Sequence, residues 1–165
     1  MKKLFSLAFL VGALGLGWLA WNLFFPSAEK VLRQKMATLA ETVTFNDKTN
    51  PITRAAKAQK VIAMFATDAQ VTLDASGYGG RNFSGREEIS EAVGMAFGGM
   101  RALRVEFLDV NVQVAGDKQT ANIGCTAKIF FGGSKDFGVQ EMRFQFKKVD
   151  GTWLIHKVET VKTLT

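Results

Sequence analysis

The stretch that decides the fold is Leu103-Arg104-Val105-Glu106-Phe107-Leu108-Asp109-Val110-Asn111-Val112-Gln113-Val114, residues 103–114. Apolar residues occupy every second position up to Phe107, which is typical of a strand with one buried face. The same period restarts at Val110, three positions later instead of two. Such a slip indicates a β-bulge, in which one extra residue bends the strand. The stretch therefore predicts a long, curved strand.

Three further segments with the same period follow this strand. They lie at residues 121–131, 142–146 and 153–161. Turn sequences separate the four strands: Gly116-Asp117, Gly132-Gly133-Ser134 and Asp150-Gly151. Because strands joined by such short turns pair antiparallel, this half of the chain predicts a four-stranded antiparallel meander.

The preceding part of the chain carries helical periodicity. Ser27 is a good N-cap for a helix that continues to Val43, and Asn50-Pro51 begins a second helix. Ser84 and Glu87 predict a capping box for a third helix.

The third helix is predicted over residues 85–97, a short strand over residues 70–74 and a flexible loop over residues 76–80. Helices come early and the strand meander comes late. The chain is therefore predicted to be α+β, with three N-terminal helices packed on one face of a curved, mainly antiparallel sheet.

An uncharged run of 22 residues, Leu4–Phe25, follows Met1-Lys2-Lys3. As a helix it is about 33 Å long, enough to cross a hydrocarbon core of about 30 Å. Aromatic residues gather at its far end, where an interfacial belt is expected: Trp18, Trp21, Phe24 and Phe25. Residues 1–26 therefore predict an uncleaved transmembrane signal-anchor, and residues 27–165 predict a single domain.

Lys2 and Lys3 favour a cytoplasmic N-terminus, which would place the domain on the periplasmic or extracellular side of the inner membrane. The alternative is secretion after cleavage of a signal peptide. The run exceeds the roughly 7–15 apolar residues of a signal peptide, and its small-x-small triplets lie inside the run. We therefore expect a single-pass membrane protein that contacts the membrane through residues 4–25.

The net charge is +6, and without Lys2 and Lys3 it is about +4 with the basic residues scattered. Without a basic run we expect no nucleic-acid partner; weak attraction to anionic lipid is the alternative to a solvated surface. Cys125, the single cysteine, lies in an apolar strand pattern and predicts a buried thiol. No Cys/His cluster suggests a metal, and the glycine-rich stretch at residues 77–81 lacks a phosphate-loop pattern, so no cofactor is expected.

Three phrases of the sequence are similar to a known superfamily: Met64-Phe65-Ala66-Thr67-Asp68-Ala69-Gln70-Val71, Phe83-Ser84-Gly85-Arg86-Glu87-Glu88-Ile89 and Val149-Asp150-Gly151-Thr152-Trp153-Leu154-Ile155. Together with the element order they resemble the nuclear transport factor two-like, or SnoaL-like, superfamily. The resemblance covers residues 28–163 and implies the cone-shaped, cystatin-like fold shared with ketosteroid isomerase. It implies no single function, because the superfamily holds enzymes, binders and assembly proteins.

The resemblance can be tested at the catalytic positions of the isomerase. With the first phrase aligned, the aspartate base falls on Leu73, with Asp74 one residue on. The protonated aspartate of the oxyanion hole falls near Met142, with Glu141 adjacent. A shift of one residue turns a side chain to the other strand face, so a small alignment error would recover both acids. The oxyanion tyrosine of the first helix has no counterpart, because the sole tyrosine, Tyr78, lies in the predicted loop.

Three residues are candidates for acid–base chemistry, and each has a structural alternative. Asp74 would be a base if apolar walls at the cone mouth raised its pKa; otherwise it is a strand-end aspartate beside a glycine-rich turn. Glu141 could line a pocket or belong to a solvated strand face. His156, the only histidine, could act near neutral pH or be an ordinary strand residue.

Eight apolar residues are predicted to point into the space between helices and sheet: Ile62, Phe65, Phe107, Ile123, Cys125, Ile129, Met142 and Phe144. An open space would be a pocket for a small hydrophobic ligand, whereas a filled space would make the domain a scaffold.

Two functions are therefore considered. The first is a non-catalytic, membrane-tethered module of the cell envelope that binds a protein partner, or a second copy, through its exposed sheet face. The alternative is an enzyme or carrier for a small hydrophobic molecule, with isomerase- or cyclase-like chemistry in which Asp74 is the base and Glu141 or His156 assists. Leu73 and Met142 are apolar at the positions where the isomerase carries its catalytic acids, and this favours the first function, a non-catalytic module.

Overall fold

The computed structural model describes residues 27–75, 79–133 and 136–161. Its elements are α1 Ala28–Val43, α2 Pro51–Ala63, β1 Phe65–Ala75, β2 Gly79–Ser84, α3 Gly85–Gly99, β3 Leu103–Val114, β4 Thr120–Phe131, β5 Phe137–Val149 and β6 Thr152–Thr160. The predicted α+β class with three helices is confirmed.

The predicted anchor at residues 4–25, with its aromatic belt, lies outside the described residues. Among the residues that the structure describes, no helix has the length and apolar character needed to cross a membrane.

A single sheet holds all six strands in the order β2-β1-β6-β5-β4-β3. Among the strands that the structure describes, β1 and β6 pair parallel and the other neighbours pair antiparallel. The predicted meander is confirmed as β3 to β6. We call the sheet face that packs on the helices the inner face, and the opposite one the outer face.

The bulge predicted in β3 is confirmed. The pairing of β3 with β4 shifts between Leu108 and Asn111. Asp109 lies inside the shift with φ +53°, in the left-handed region that non-glycine residues seldom adopt. The strand bends at this point, and Arg33 of α1 donates to the Val110 carbonyl at 2.6 Å, so α1 covers part of this edge strand.

Side chains cap the first two helices as the sequence predicts. Ser27 Oγ accepts a hydrogen bond from Lys30 N at 3.3 Å, and Asn50 Oδ1 accepts one from Ile52 N at 2.7 Å. Each bond satisfies a backbone N–H that the helix itself leaves unpaired.

The predicted capping box of α3 is wrong in its details. The Ser84 side chain makes no cap hydrogen bond, and the backbone N–H of Ser84 donates at 2.7 Å to Glu88 rather than to Glu87. The chain enters the helix through Gly85 at φ +81°, a conformation that glycine adopts without strain.

The first two strands are longer than the sequence predicts. β1 begins at Phe65, five residues before the predicted start at Gln70. β2 forms over Gly79–Ser84, although the sequence predicts a flexible loop at Gly79 and Gly80. The segment 79–84 has no alternating pattern of its own. It becomes a strand because it pairs antiparallel with the edge of β1.

The core lies between the helices and the inner face. Its largest fully buried side chains are Leu32 and Met36 from α1, Ile123 from β4 and Ile155 from β6. Phe107 and Phe144 meet edge to face with ring centroids 5.5 Å apart. The space under the curved sheet is therefore packed with side chains from both layers.

Candidate functional site

The two positions aligned with the isomerase acids face inward and carry apolar side chains. Met142 pairs with Cys125 across β4 and β5 and packs against the buried core. Leu73 lies two residues from Val71, which also packs against the core, so the two share the inner face of β1. The interior therefore holds apolar groups at both places.

Asp74 and Glu141 lie on the outer face, one residue away from these inward positions. Glu141 is exposed and accepts a hydrogen bond from the Thr126 hydroxyl at 2.9 Å. The backbone N–H of Asp74 donates to Thr160 Oγ1 at 2.8 Å, which fixes the end of β1 against β6. The strand register therefore settles the one-residue uncertainty, and neither acid points into the core.

His156 lies where the pairing of β5 with β6 changes register, and 39% of its side chain is exposed. Its Nδ1 atom is buried, makes no hydrogen bond within the described chain, and lies 3.7 Å from the Asp68 carboxylate. Lys147 donates to both oxygens of that carboxylate at 2.6 Å. The lysine is the main reason that the pKa of Asp68 is lowered, and His156 lowers it further.

The structure thus separates the three acid–base candidates. His156 is grouped with Asp68 and Lys147, which the sequence did not single out, whereas Asp74 and Glu141 lie on different strands with β6 between them. Within the described ranges, no three His, Cys, Asp or Glu side chains are grouped closely enough to hold a metal ion.

The eight residues predicted to line a pocket differ in how they relate to the buried core. Phe65, Ile123, Cys125 and Phe144 belong to the buried core, and Phe107 and Met142 pack against it. Ile62 is a buried residue of α2, and Ile129 is half-buried near the end of β4. Burial raises the pKa of the Cys125 thiol to about 12, with a smaller contribution from Glu141. The prediction that the eight residues contact a ligand stays a prediction.

Cavities open on the surface at three places in the described chain that bear on the candidates. The first, about 630 Å³, lies between α2 and α3 and includes Ile62 in its lining. The second, about 480 Å³, lies where α1 ends beside β3 and β4, and the third, about 250 Å³, separates α1 from β3 at Phe107. None of the three is lined by Asp74, Glu141 or His156.

One end of the outer face carries a group that we call the aromatic corner: Arg104, Lys128, Phe130, Phe137 and Val139. Pairing between β3, β4 and β5 aligns Arg104, Phe130 and Phe137 in one row, with Lys128 and Val139 in the next. The two rings lie 5.4 Å apart. Phe137 and Val139 are 50% and 59% exposed, whereas the ring of Phe130 is only 8% exposed.

Cations cover the rings of the aromatic corner. The Arg104 guanidinium lies 3.7 Å from the centroid of Phe130, and Lys128 Nζ lies 4.0 Å from that of Phe137. Such stacking holds long side chains flat while their N–H groups stay available to a partner. Part of this group carries a sequence signal, because the apolar residues at 137 and 139 fall on the strand parity that faces solvent.

The chain matches a model of the SnoaL-like domain over residues 53–159. Among solved structures, an NTF2-like protein with a cystatin-like fold from Novosphingobium aromaticivorans is 18% identical, with 86% of each chain covered and a TM-score of 0.63. A "putative scytalone dehydratase" from the same organism is 15% identical, with 82% of this chain and 84% of that chain covered and a TM-score of 0.60.

Yeast UBP3-associated protein BRE5 is 15% identical, with 83% of this chain and 98% of that chain covered and a TM-score of 0.62. A comparison with curated proteins finds no match. At these identities the structural likenesses show the cystatin-like cone fold alone, as the resemblance implied. Because the matched model spans more than half of the residues, the chain belongs to the SnoaL-like domain family.

Proposed function

We propose that this chain is a non-catalytic binding or assembly module of the cell envelope, tethered by residues 4–25 with its N-terminus in the cytoplasm. The observation that carries the proposal is the aromatic corner, in which exposed Phe137 and Val139 lie beside the buried ring of Phe130 and two cations edge the group. Exposed apolar patches rimmed by polar residues mark interaction surfaces. The partner that fits is a protein with apolar side chains and carboxylates.

The chemistry of the aromatic corner favours a protein partner. Aromatic residues and arginine are enriched at the centres of protein interfaces, where a few of them supply most of the binding free energy. Within the described residues Arg104 makes one ion pair, at 3.4 Å with Glu106, and both side chains are about half exposed, so a partner's carboxylate can replace it. A stacked base is a poorer fit, because cations already cover the rings.

The position of the aromatic corner also favours a partner that does not lie in the membrane to which residues 4–25 would tether the chain. A bridge from Phe45 to Leu103 ties the start of β3 to the C-terminal end of α1. The tether joins α1 at the opposite end, and sixteen helical residues span about 24 Å. The corner therefore lies at the far end of α1 from the tether.

The interior supports a non-catalytic role. Leu73 and Met142 stand where the isomerase carries its acids, and Met142 packs on a core whose members Ile123 and Ile155 are at most 1% exposed. Asp74 and Glu141 face away from that core. An acid–base site would need a carboxyl group next to a bound substrate, and this arrangement provides none at the inward positions.

The experiment is photo-crosslinking of the full-length chain in its native membrane. A photoreactive residue replaces Val139 in the aromatic corner or, as the control, Gln34, which is exposed on α1. We expect a specific protein adduct from position 139 and none from position 34. Equal labelling at both positions, or adducts with lipid alone from position 139, would refute the proposal.

Variants separate this surface from the acidic candidates. Lys128→Glu and Phe137→Ser should each reduce capture of the crosslinked protein at least tenfold. Asp74→Asn and Glu141→Gln should leave capture unchanged. An adduct whose mass equals a second copy of the chain would instead identify the sheet face as a self-association surface.

The tether is tested separately. We expect the chain to remain in the membrane pellet after alkaline extraction and its intact mass to include residue 1 or 2. A soluble product beginning after residue 20 would indicate secretion after signal cleavage.

The second candidate function is that of an enzyme or carrier for a small hydrophobic molecule. It is supported by the likeness to a solved structure whose name is that of a dehydratase. Mass spectrometry of the detergent-extracted chain tests this candidate. A stoichiometric hydrophobic ligand that is lost in Asp74→Asn but kept in Asp150→Asn would favour it over an assembly role.

A further inference from the structure

The cavity of about 480 Å³ lies beside the edge strand β3, next to the aromatic corner. Phe45 bridges Leu103 on that edge, and both residues line the cavity together with the buried ring of Phe130. Arg104 of the aromatic corner lines it as well. The row that holds Phe137, Phe130 and Arg104 therefore continues across the edge of the sheet into this cavity.

The walls of this cavity carry positive charge. Lys57 of α2 and Arg104 of β3 line it, and none of the described lining residues is an aspartate or a glutamate. Within the described part of the chain, Lys57 makes no ion pair, and Arg104 makes one, with Glu106. The cavity therefore holds cations whose charge is not balanced by acids in its own walls.

Lys57 has a donor left for a ligand. Its Nζ atom donates to the backbone carbonyls of Glu41 and Thr44, at 2.9 and 2.7 Å, and these bonds hold the ammonium group at the end of α1. An ammonium group has three donors, so one N–H remains beyond these two bonds. The side chain is half-buried, and a charge that is partly removed from water attracts an anion more strongly than an exposed one does.

Arg54 fixes the wall of the cavity behind Phe45. Its guanidinium donates to the backbone carbonyls of Asn46, Met100 and Arg101 at 2.8–2.9 Å and lies 4.8 Å from the centroid of the Phe45 ring. These bonds join the connection between α1 and α2 to the segment before β3. The cavity is therefore formed before a ligand arrives, and binding has little ordering of the chain to offset.

We infer that the protein partner of the aromatic corner places an aspartate or glutamate side chain in this cavity, between Lys57 and Arg104. The inference rests on the proposed function and deepens it, because it names a feature that the partner must carry. The carboxylate would accept hydrogen bonds from Lys57 Nζ and from the Arg104 guanidinium, which is held flat on the Phe130 ring. Phe45 and Leu103 would contact the hydrocarbon stem of the acidic side chain.

The number and the position of the cations favour a single carboxylate over other anions. Two cations line the cavity among the described residues, whereas a nucleic-acid strand neutralises many cations along its length. The cavity lies at the C-terminal end of α1, and the tether would join the other end of that helix, about 24 Å away. Head groups of that membrane are therefore distant, and an acidic segment of a protein is the occupant that fits.

The sheet sets the spacing between the acidic residue of the partner and an apolar neighbour. Arg104 lies on β3 and Phe137 on β5, in one row with β4 between them. Adjacent strands are about 4.8 Å apart, so the two contacts are separated by about 10 Å. An extended chain advances about 3.3 Å per residue. We therefore expect the partner to carry an acidic and a large apolar residue about three positions apart.

Carbodiimide coupling of the full-length chain in its native membrane tests the inference. The reagent joins a lysine amine directly to a carboxylate that contacts it, without a spacer. We expect Lys57 to form an amide with an aspartate or glutamate of the protein that is captured from position 139. Lys118, exposed in the turn between β3 and β4, is the control and should form no such amide. Coupling of Lys57 to no carboxylate, or to carboxylates of its own chain alone, would overturn the inference.

Two variants of Thr49, which lines the cavity, separate charge from shape. Thr49→Glu puts a carboxylate of the chain itself beside the cations, whereas Thr49→Gln has nearly the same size and no charge. We expect Thr49→Glu to reduce capture of the partner from position 139 at least tenfold and Thr49→Gln to leave it within threefold. Equal capture by the two variants would overturn the inference. Both variants lose the same local hydrogen bonds of Thr49, so a folding defect would affect them alike.

Failure of this inference and failure of the proposed function give different results. A protein adduct from position 139 without coupling of Lys57 would keep the partner at the aromatic corner and overturn the carboxylate contact alone. Absence of a protein adduct from position 139 in the otherwise native chain would refute the proposed function itself. Lipid vesicles test a phosphate head group as the anion. If phosphatidylglycerol vesicles blocked coupling of Lys57 and phosphatidylcholine vesicles did not, a lipid would be the ligand and the inference would be overturned.

Discussion

Lys147 on β5 donates to both carboxylate oxygens of Asp68 on β1 at 2.6 Å, although β6 lies between these strands. His156 of β6 places Nδ1 3.7 Å from the same carboxylate. One side chain of β1 thus joins three adjacent strands where the backbone pairing of β1 with β6 is irregular. Asp68 and Lys147 supply a cross-strand link at a place where regular backbone hydrogen bonds are missing.

The first prediction concerns the stability of this link at acidic pH. The pKa of Asp68 in the folded chain is lowered from 3.8, mainly by the hydrogen bond from Lys147. A depressed folded pKa stabilises the fold above the unfolded value, and this contribution is lost as the pH falls through the folded pKa. Asp68→Asn should therefore lower the free energy of unfolding near neutral pH and reduce its decline below about pH 4.

Urea unfolding from neutral pH to about pH 3 measures this effect. Asp150→Asn is the matched control, because Asp150 is exposed in the β5–β6 turn and asparagine tolerates its positive φ. The control should keep the acid dependence of the native chain. If Asp68→Asn kept it as well, Asp68 would not contribute to acid stability.

The second prediction concerns the single native thiol. Burial raises the pKa of Cys125 to about 12, and the thiolate is the reactive form of cysteine. Near neutral pH the native chain should therefore resist alkylation and react only after unfolding. In Asn122→Cys, the introduced exposed thiol should react rapidly while Cys125 stays unmodified, as peptide mass mapping would show. Fast labelling of Cys125 in the folded chain would contradict its position in the core.

The third prediction compares two methionines. Met36 on α1 is 1% exposed, whereas Met95 on α3 is 65% exposed. Removing the buried side chain loses apolar burial and leaves a cavity, so Met36→Ala should cost about 2–5 kcal/mol of unfolding free energy. Met95→Ala should change it by less than about 0.5 kcal/mol in dilute protein. Equal losses would mean that the helix layer does not pack on the sheet as described.

Local periodicity was enough to predict most of the sheet. In β3 to β6 the alternation of apolar residues marks a buried face, and the slip after Phe107 marks the bulge near Asp109. Local periodicity does not predict β2, because Gly79 to Asn82 carry no alternating pattern. That strand exists through its pairing with β1, a long-range interaction that a local pattern does not encode.

The candidate site depended on information that the sequence lacks. A shift of one residue in the strand register decides whether Leu73 or Asp74 points inward. The same shift decides between Met142 and Glu141. Only the strand register, such as the pairing of Cys125 with Met142, decides it. The aromatic corner also requires the register, because the rows that unite its residues run across three strands.

The last prediction concerns the bulge in β3. Asp109 has φ +53°, which short polar residues tolerate and β-branched residues do not. Asp109→Val should therefore cost about 1–2 kcal/mol of unfolding free energy. Asp109→Gly should change it by at most about 1 kcal/mol, because relief of strain is offset by the added freedom of the unfolded chain.

Asn111→Val is the control for Asp109→Val, since Asn111 is exposed within the same strand and valine suits extended backbone. Thermal unfolding of the three variants tests the backbone argument directly. A valine tolerated equally at both positions would mean that Asp109 does not adopt a positive φ. The curvature of β3 over the core would then need another cause than this bulge.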